Sequence, residues 1–457
     1  MGGDAPLEGL PPWTRIDGSR RYSGWNLAWR GPMSKSHWAS QRRIPRWRTV
    51  RPLLQFETGG VPSLNRRLRR ARTIGDLREL AHRRVPRAVF DYTDGAAESE
   101  ISIARARRAF REVEFHPNVL HDVSVVNLGT QILGKASALP FVFAPTGFTR
   151  MMHHEGERAV GRVAERTAIP YALSTLATTS LEDVATAAPN ARKWFQLYVW
   201  KDRGASGELV DRARAAGYEA LVVTVDTPVA GARLRDVRNG LTIPPSLTLR
   251  TVLDGLRRPG WWFDLMTTAP LEFASLSGWD GTVAELVNHM FDPSVTVDDL
   301  RWIRERWSGP IVVKGIQSVE DALVAAEHGT DAIVLSNHGG RQLDRATTPL
   351  HLLPHVVDAV GDRLEVLLDG GILCGGDVLA AKAHGASACL IGRAYLFGLM
   401  AGGERGVQRA VDILSEELRR TLQLLGVADV NDLAPRHVTL PRGAGGNAAE
   451  SVARGTS

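Results

Sequence analysis

From about residue 139 onward the chain alternates between two rhythms. Short, continuous apolar runs rich in Val, Ile, Leu and Phe are followed by longer stretches in which apolar residues recur every three or four positions. The apolar runs are LPFVFAPTG (139–147), IPYALST (169–175), KWFQLYVW (193–200), ALVVTVDT (220–227), PIVVKGI (310–316), AIVLSNHG (332–339), EVLLDGG (365–371) and ACLIGR (388–393). The amphipathic stretches include ASGELVDRARAAG (205–217), SVEDALVAAEHG (318–329) and GGDVLAAKAHG (375–385). Runs that are apolar without alternation predict strands buried on both faces, and a helix after each strand predicts that neighbours are parallel. Eight such units predict an α/β fold closed as a (β/α)8 TIM barrel. A doubly wound open sheet is disfavoured, because no G-x-G-x-x-G follows any of the eight runs.

The flanks carry other signals. A helical pattern, TIGDLRELAHRRV, begins at Thr73, whose hydroxyl suits an N-cap, and Pro86 interrupts it. A second helical stretch is predicted from Arg87 towards Phe110. After the fourth run comes a long insert, about 237–295, ahead of the helix VDDLRWIRERW. Its Arg257, Arg258, Trp261, Trp262 and Phe263 suit either a membrane interface or a lid packed on the barrel. A long helical region after Arg393 finishes the barrel. Residues 1–50 follow neither rhythm and residues 443–457 are small and polar. Both are expected to be disordered, leaving 51–442 as the barrel unit. Because MSKSHWASQRR resembles an ordinary N-terminus, Met33 is also expected as an alternative start.

Polar residues gather where the apolar runs end: Pro145-Thr146-Gly147, Ser174, Gln196 and Tyr198, Thr224 and Asp226, Lys314, Ser336 and His338, Asp369-Gly370-Gly371, Gly392-Arg393. In a barrel these ends form one rim, where active sites sit. The sixth end, SNHGGRQLD, puts His338 and Arg341 three apart on a Gly-Gly loop. Arg341 can hold a carboxylate through two parallel hydrogen bonds. His338 can move a proton on the adjacent carbon or hydroxyl. The glycine-bearing seventh and eighth ends are where barrels often bind phosphate. Lys314, with no acidic neighbour in sequence, can face an anionic ring.

Composition narrows the class. The chain is 44% hydrophobic and 23% charged, with net charge +6. Residues 1–50 hold nine Lys/Arg and three acids, and the remainder holds 47 of each sign. The basic excess therefore belongs to the leader, and no nucleic-acid partner is expected for the barrel. Five of the twelve tryptophans also lie there, so an alternative expectation for this leader is contact with an anionic membrane surface. Cys374 and Cys389 have no metal-ligand spacing, so no metal is expected and a reducing, cytoplasmic setting fits. No run reaches the roughly 18 apolar residues that span a bilayer. The N-terminus has no secretory h-region.

On SNHGGRQLD, supported by FDYTDGAAE, APTG, LSTLAT, FQLYVW, TVDTPVAGAR, VVKGI, LLDGG and IGRAYL in that order, the chain resembles the FMN-dependent α-hydroxy-acid dehydrogenase/oxidase family from about Thr73 to Arg442. It is most similar to the bacterial L-lactate dehydrogenases of that family. The resemblance implies oxidation of an L-2-hydroxy acid, with L-lactate to pyruvate expected. The alternative is the same flavin chemistry on another 2-hydroxy acid or on a peptide-derived redox-cofactor precursor. It implies that His338 is the base, that Asp226 holds the imidazole, and that Arg233 and Arg341, helped by Tyr92, bind the carboxylate. Tyr198 would bond near the substrate oxygen, and Lys314 would stabilise reduced flavin. FMN would be held by Pro145 to Gly147, Ser174, Gln196, Thr224, Lys314, Ser336, Asp369 to Gly371, Gly392 and Arg393. His338 serves whether the α-hydrogen leaves as hydride or as a proton.

The sequence departs from the family in one place. Leu373 stands where the family carries an arginine for the FMN phosphate, which throws that task onto Arg393 and backbone amides. Leu176 replaces the bulky Trp of glycolate oxidases and suits a methyl-bearing substrate. The resemblance also implies a homo-oligomer, a tetramer. Oxygen, quinone and cytochrome are all chemically open as acceptors. The aromatic, basic insert favours a membrane quinone, reached from the inner face of the cell membrane.

Overall fold

The computed structural model describes residues 63–240, 257–274 and 291–440. The expectations for residues 1–50, for Met33 and for 443–457 fall outside them. All eight predicted strands form: β1 (Phe141–Phe143), β2 (Tyr171–Ser174), β3 (Lys193–Leu197), β4 (Ala220–Thr224), β5 (Ile311–Ile316), β6 (Ala332–Leu335), β7 (Glu365–Leu368) and β8 (Ala388–Ile391). They pair in parallel and in sequence order, with β8 returning to β1, so the barrel is closed. Inward-facing Val142, Ala172, Trp194, Val222, Val312, Val334, Leu367 and Leu390 fill its centre, all essentially inaccessible. Burial of this kind yields about 25 cal/mol per Å2 of apolar surface and makes the barrel a rigid platform.

The strand register sets the rim. Ser174 lies opposite Gln196, and Thr224 opposite Lys314. β5 is irregular between Lys314 and Ile316. Gly315 there has φ +111°, and a Cβ on it would lie 2.6 Å from the Asp226 Cβ. Only glycine lets Asp226 sit at that point.

The N-terminal helices follow their caps. α1 (Ile74–Arg84) starts at Thr73 with a reciprocal capping box to Asp76 and ends ahead of Pro86, as the sequence predicts. The stretch expected to run on to Phe110 is instead two helices, α2 (Arg87–Asp94) and α3 (Ile101–Arg111). The break has a tertiary cause. Ala97 N–H donates to the Gly340 carbonyl and Glu98 N–H to the Ala232 carbonyl, so the rim loops take the hydrogen bonds a helix would have kept. A hairpin of Thr130–Ile132 and Lys135–Ser137 brings Ile132 to the barrel centre.

Within the insert, α4 (Pro259–Thr267) is described. The packed reading holds for one face of α4. Trp261 Nε1 donates to the Met151 carbonyl at 2.8 Å, and Arg258 donates to the carbonyls of Val85 and His82. Phe263 and Met266 point outward, 68% and 76% exposed. The final helix, α5 (Arg393–Leu425), is interrupted at Gly402 and Gly403 and capped by left-handed Gly426. No helix among the described residues is long and apolar enough to cross a membrane.

Candidate active site

A cavity of about 420 Å3 opens at the C-terminal rim of the barrel. It brings together Tyr92, Pro145, Thr146, Gly147, Ser174, Gln196, Tyr198, Thr224, Arg233, Lys314, His338, Arg341, Asp369, Gly370, Gly371, Gly392 and Arg393. Two predicted residues stand behind its wall instead of on it, Asp226 and Ser336. Each acts on a wall residue. Ser336 Oγ accepts from Lys314 Nζ at 2.9 Å and from His338 N–H at 3.0 Å. Asp226 Oδ1 lies 2.9 Å from His338 Nδ1, with 1% of its side chain exposed.

Burial alone would raise the Asp226 pKa, but His338 and then Lys314 reverse this and hold it below the ordinary carboxylate value. An ionised Asp226 accepts the Nδ1 hydrogen, which leaves Nε2 with its lone pair free for a proton. His338 has φ +56°, a left-handed conformation uncommon outside glycine. Asp226, Ser336 and the Asn337 side chain, which accepts from Gly340 N–H, hold the loop in this geometry.

In the same cavity, two guanidinium groups share one aromatic ring. Arg341 lies 4.7 Å and Arg233 5.7 Å from the Tyr92 ring centre. Arg341 also donates to the carbonyls of Tyr92 and Gly95. Its burial and the nearby Arg233 lower its pKa. Two neighbouring cations in a partly dehydrated pocket attract an anion, and a planar carboxylate fits them. Tyr198 is buried beside them, and burial raises its phenol pKa, so it stays a neutral hydrogen-bonding group. Leu176 lines the same pocket, and a Cβ on Gly147 would press within 2.8 Å of its side chain.

The floor of the cavity contains polar atoms without partners. Gln196 Oε1 accepts from Ser174 and from Thr175 N–H, whereas its Nε2 has no partner, nor do Thr224 Oγ1 and Asp369 Oδ1. Buried polar atoms left unpaired are costly. Here they line a cavity beside Gly370 and Gly371, both at positive φ, a set that suits a flat heterocycle with ring carbonyls and N–H groups. Lys314 has the acidic neighbour that its local sequence lacks: Asp369 Oδ2 at 3.0 Å. Burial would lower the Lys314 pKa, but Asp369 and Asp226 more than offset it, so the ammonium persists.

Three contributors escaped sequence reading. Gln342 donates to the carbonyls of Asp226 and Val229 and accepts from Gly231 N–H, clamping the Asp226 loop to the His338 loop. Its only signal was membership of SNHGGRQLD. Phe291, from the end of the insert, lines the cavity with its ring 5.4 Å from that of Tyr198. Arg107, on α3, reaches the Gly371 carbonyl. No metal was expected, yet His153, His154 and Asp264 lie with ligand atoms within 4.8 Å of one another. Arg84 Nη2, 3.3 Å from His153 Nε2, disfavours a cation there, and the His154–Asp264 contact at 3.2 Å ties α4 to the barrel.

The chain is similar to known proteins over most of its length. A Mycobacterium tuberculosis protein provisionally named L-lactate dehydrogenase is 59% identical over 401 residues, 88% of this chain and 97% of that protein. The L-lactate dehydrogenase of Caulobacter vibrioides is 43% identical over 362 residues, 78% of this chain and 94% of that one. The crystal structure of the monotopic membrane protein (S)-mandelate dehydrogenase superposes with TM-score 0.78 at 36% identity, covering 81% of this chain and all of that one. Residues 81–440, which hold the whole rim, match the FMN-dependent dehydrogenase family. This match, with the relatives, makes the chain a member of the FMN-dependent dehydrogenases that oxidise 2-hydroxy acids.

Proposed function

We propose that the protein oxidises L-lactate to pyruvate. The observation that carries this reading is that a proton acceptor and a carboxylate clamp line one small cavity: His338, backed by Asp226, and the Arg233 and Arg341 pair on the Tyr92 ring. In this reading the arginines fix the substrate carboxylate and Tyr198 bonds its oxygen. His338 Nε2 takes up the proton released on oxidation, and Asp226 stabilises the resulting imidazolium. FMN, when bound, accepts the two electrons. Gln196, Thr224 and Asp369 would meet its ring, with the Lys314 ammonium balancing charge that develops there. Leu176 and Phe291, which line the cavity, would pack beside the substrate's methyl group. The names of the relatives support the choice of lactate.

A quinone at the membrane surface is the proposed acceptor. Outward Phe263 and Met266 on α4 support this, as does the similarity to a monotopic membrane enzyme. The test is anaerobic mixing of the holoenzyme with L-lactate, followed by steady-state turnover with oxygen and with a water-soluble quinone analogue side by side. Loss of the oxidised-flavin absorbance and faster turnover with the quinone are expected. Unchanged absorbance with L-lactate but bleaching with another 2-hydroxy acid or with a peptide-derived precursor would replace the substrate.

A further inference from the structure

The end of the cavity near β7 and β8 lacks a charged residue at position 373, where Leu373 is neutral and partly buried. The lining cations differ in what they have left to offer. A guanidinium has five N–H donors. Arg393 uses all three nitrogens on backbone: Nε on the Thr93 carbonyl, Nη1 on Gly339 and Nη2 on Gly95. Its Nε/Nη2 edge, the side that grips an oxyanion with two parallel bonds, is taken. Arg78 spends the same edge on Asp94. Arg107 spends only Nη1, on the Gly371 carbonyl and on Asp377, leaving Nε and both Nη2 hydrogens unclaimed. It lines the cavity next to Gly371.

Its position is built into the fold. Gly371 has φ +93°, and a Cβ there would lie 3.1 Å from the Cβ of Ala106, the residue before Arg107. The glycine therefore lets α3 approach the strand end. The Asp344 carboxylate accepts from the N–H groups of Ile101 and Ser102 and so fixes the start of α3 against the His338 loop.

We propose that Arg107 is the side chain that grips the terminal phosphate of FMN through its free Nε/Nη2 edge, in place of a cation at position 373. Arg393 then frames the phosphate end by holding the Tyr92–Gly95 and His338–Gly340 segments together.

The test separates phosphate from ring by comparing FMN with riboflavin. Flavin-stripped full-length protein is titrated with each, following quenching of flavin fluorescence. For wild type, FMN binds more tightly than riboflavin. Arg107→Met is expected to cut that preference by about 10- to 100-fold, the value of a charge-assisted pair, with riboflavin affinity within about threefold of wild type. Arg107→Lys, which keeps charge but not the two-pronged edge, is expected to fall between. Because Arg107→Met leaves Asp377 buried without its partner, Arg107→Met with Asp377→Asn is measured alongside. An unchanged FMN-to-riboflavin ratio, or equal weakening of both flavins in single and double variants, would overturn the proposal. Wild-type protein that bound neither flavin would instead contradict the cofactor assignment itself.

Discussion

Asp226→Asn isolates one electrostatic interaction at nearly constant shape. The carboxylate sits 2.9 Å from His338 Nδ1, its side chain is 1% exposed, and it is held ionised by His338 and Lys314 against the cost of burial. Asparagine keeps the volume and an acceptor oxygen but removes the charge. When His338 takes up a proton, the imidazolium and carboxylate charges are centred roughly 4 Å apart. At an effective dielectric of about 20 their attraction is about 4 kcal/mol. A neutral amide that still accepts the Nδ1 hydrogen recovers about 1 kcal/mol. The remaining 3 kcal/mol, more if the local dielectric is lower, predicts a fall of roughly 100- to 1000-fold in the rate of flavin reduction. Asp226 does not line the cavity, so substrate affinity is expected to stay within about threefold. Anaerobic stopped-flow mixing with L-lactate over a concentration range gives both numbers, and the absorbance before mixing verifies bound flavin. A variant that holds its flavin and reduces it at more than a fifth of the wild-type rate would show that the charge does not assist proton uptake.

Three further outcomes follow from the same structure. His338→Gln should lower turnover by about 100- to 10,000-fold with FMN still bound, and wild-type turnover in that variant would remove His338 as the base. Phe291→Ala should raise kcat/KM for five- or six-carbon L-2-hydroxy acids relative to L-lactate by about 10- to 100-fold, because a ring lining the cavity against Tyr198 is gone; an unchanged ratio refutes this. Burial, with Arg84 and His154 adding to it, lowers the His153 pKa to about 3. The unfolded chain binds this proton below about pH 6.5, so the contribution is fully present above that pH and is lost as pH falls towards 3, about 2 kcal/mol of it by pH 5. His153→Gln should flatten that slope, and a urea midpoint that dropped between pH 7 and pH 5 as steeply as in wild type would disprove the assignment.

Sequence and structure agree where local rules decide. Thr73 caps α1 because Asp76 returns its hydrogen bond within four residues, and Pro86 stops that helix for reasons contained in its own ring. The eight strands were legible because β-branched residues buried on both faces leave no polar alternation to mislead. The rim was legible by inference, since barrel closure forces strand ends together whatever their spacing in the chain. What stayed hidden was set by partners far away in sequence. Residues 95–100 carry helix-compatible alanines and glutamates, yet the N–H groups of Ala97 and Glu98 belong to the Gly340 and Ala232 carbonyls. Lys314 looked unpaired because Asp369 is 55 positions distant in the chain. Arg107 reads as one of several arginines on an amphipathic helix, and only its unspent donors distinguish it. The three-residue strands around Ile132 are too short for any periodicity to register.

The segment from Ser336 to Asp344 ties these long-range effects together. Its first residue accepts hydrogen bonds from both the Lys314 ammonium and the His338 backbone. Its Gln342 clamps the loop that carries Asp226, and its Asp344 fixes α3. Gly340 accepts from Ala97 N–H just beyond α2, the helix whose Tyr92 ring both arginines approach. A non-glycine residue at positive φ costs about 1 kcal/mol or more. His338 bears that cost at the centre of this network, and relaxing it would disturb the Nδ1 contact with Asp226. The strain is tolerable because the surrounding bonds converge on one loop conformation. Proton acceptor, carboxylate clamp and the helix that carries Arg107 are therefore positioned by one loop, and a change in its backbone would disturb all three together.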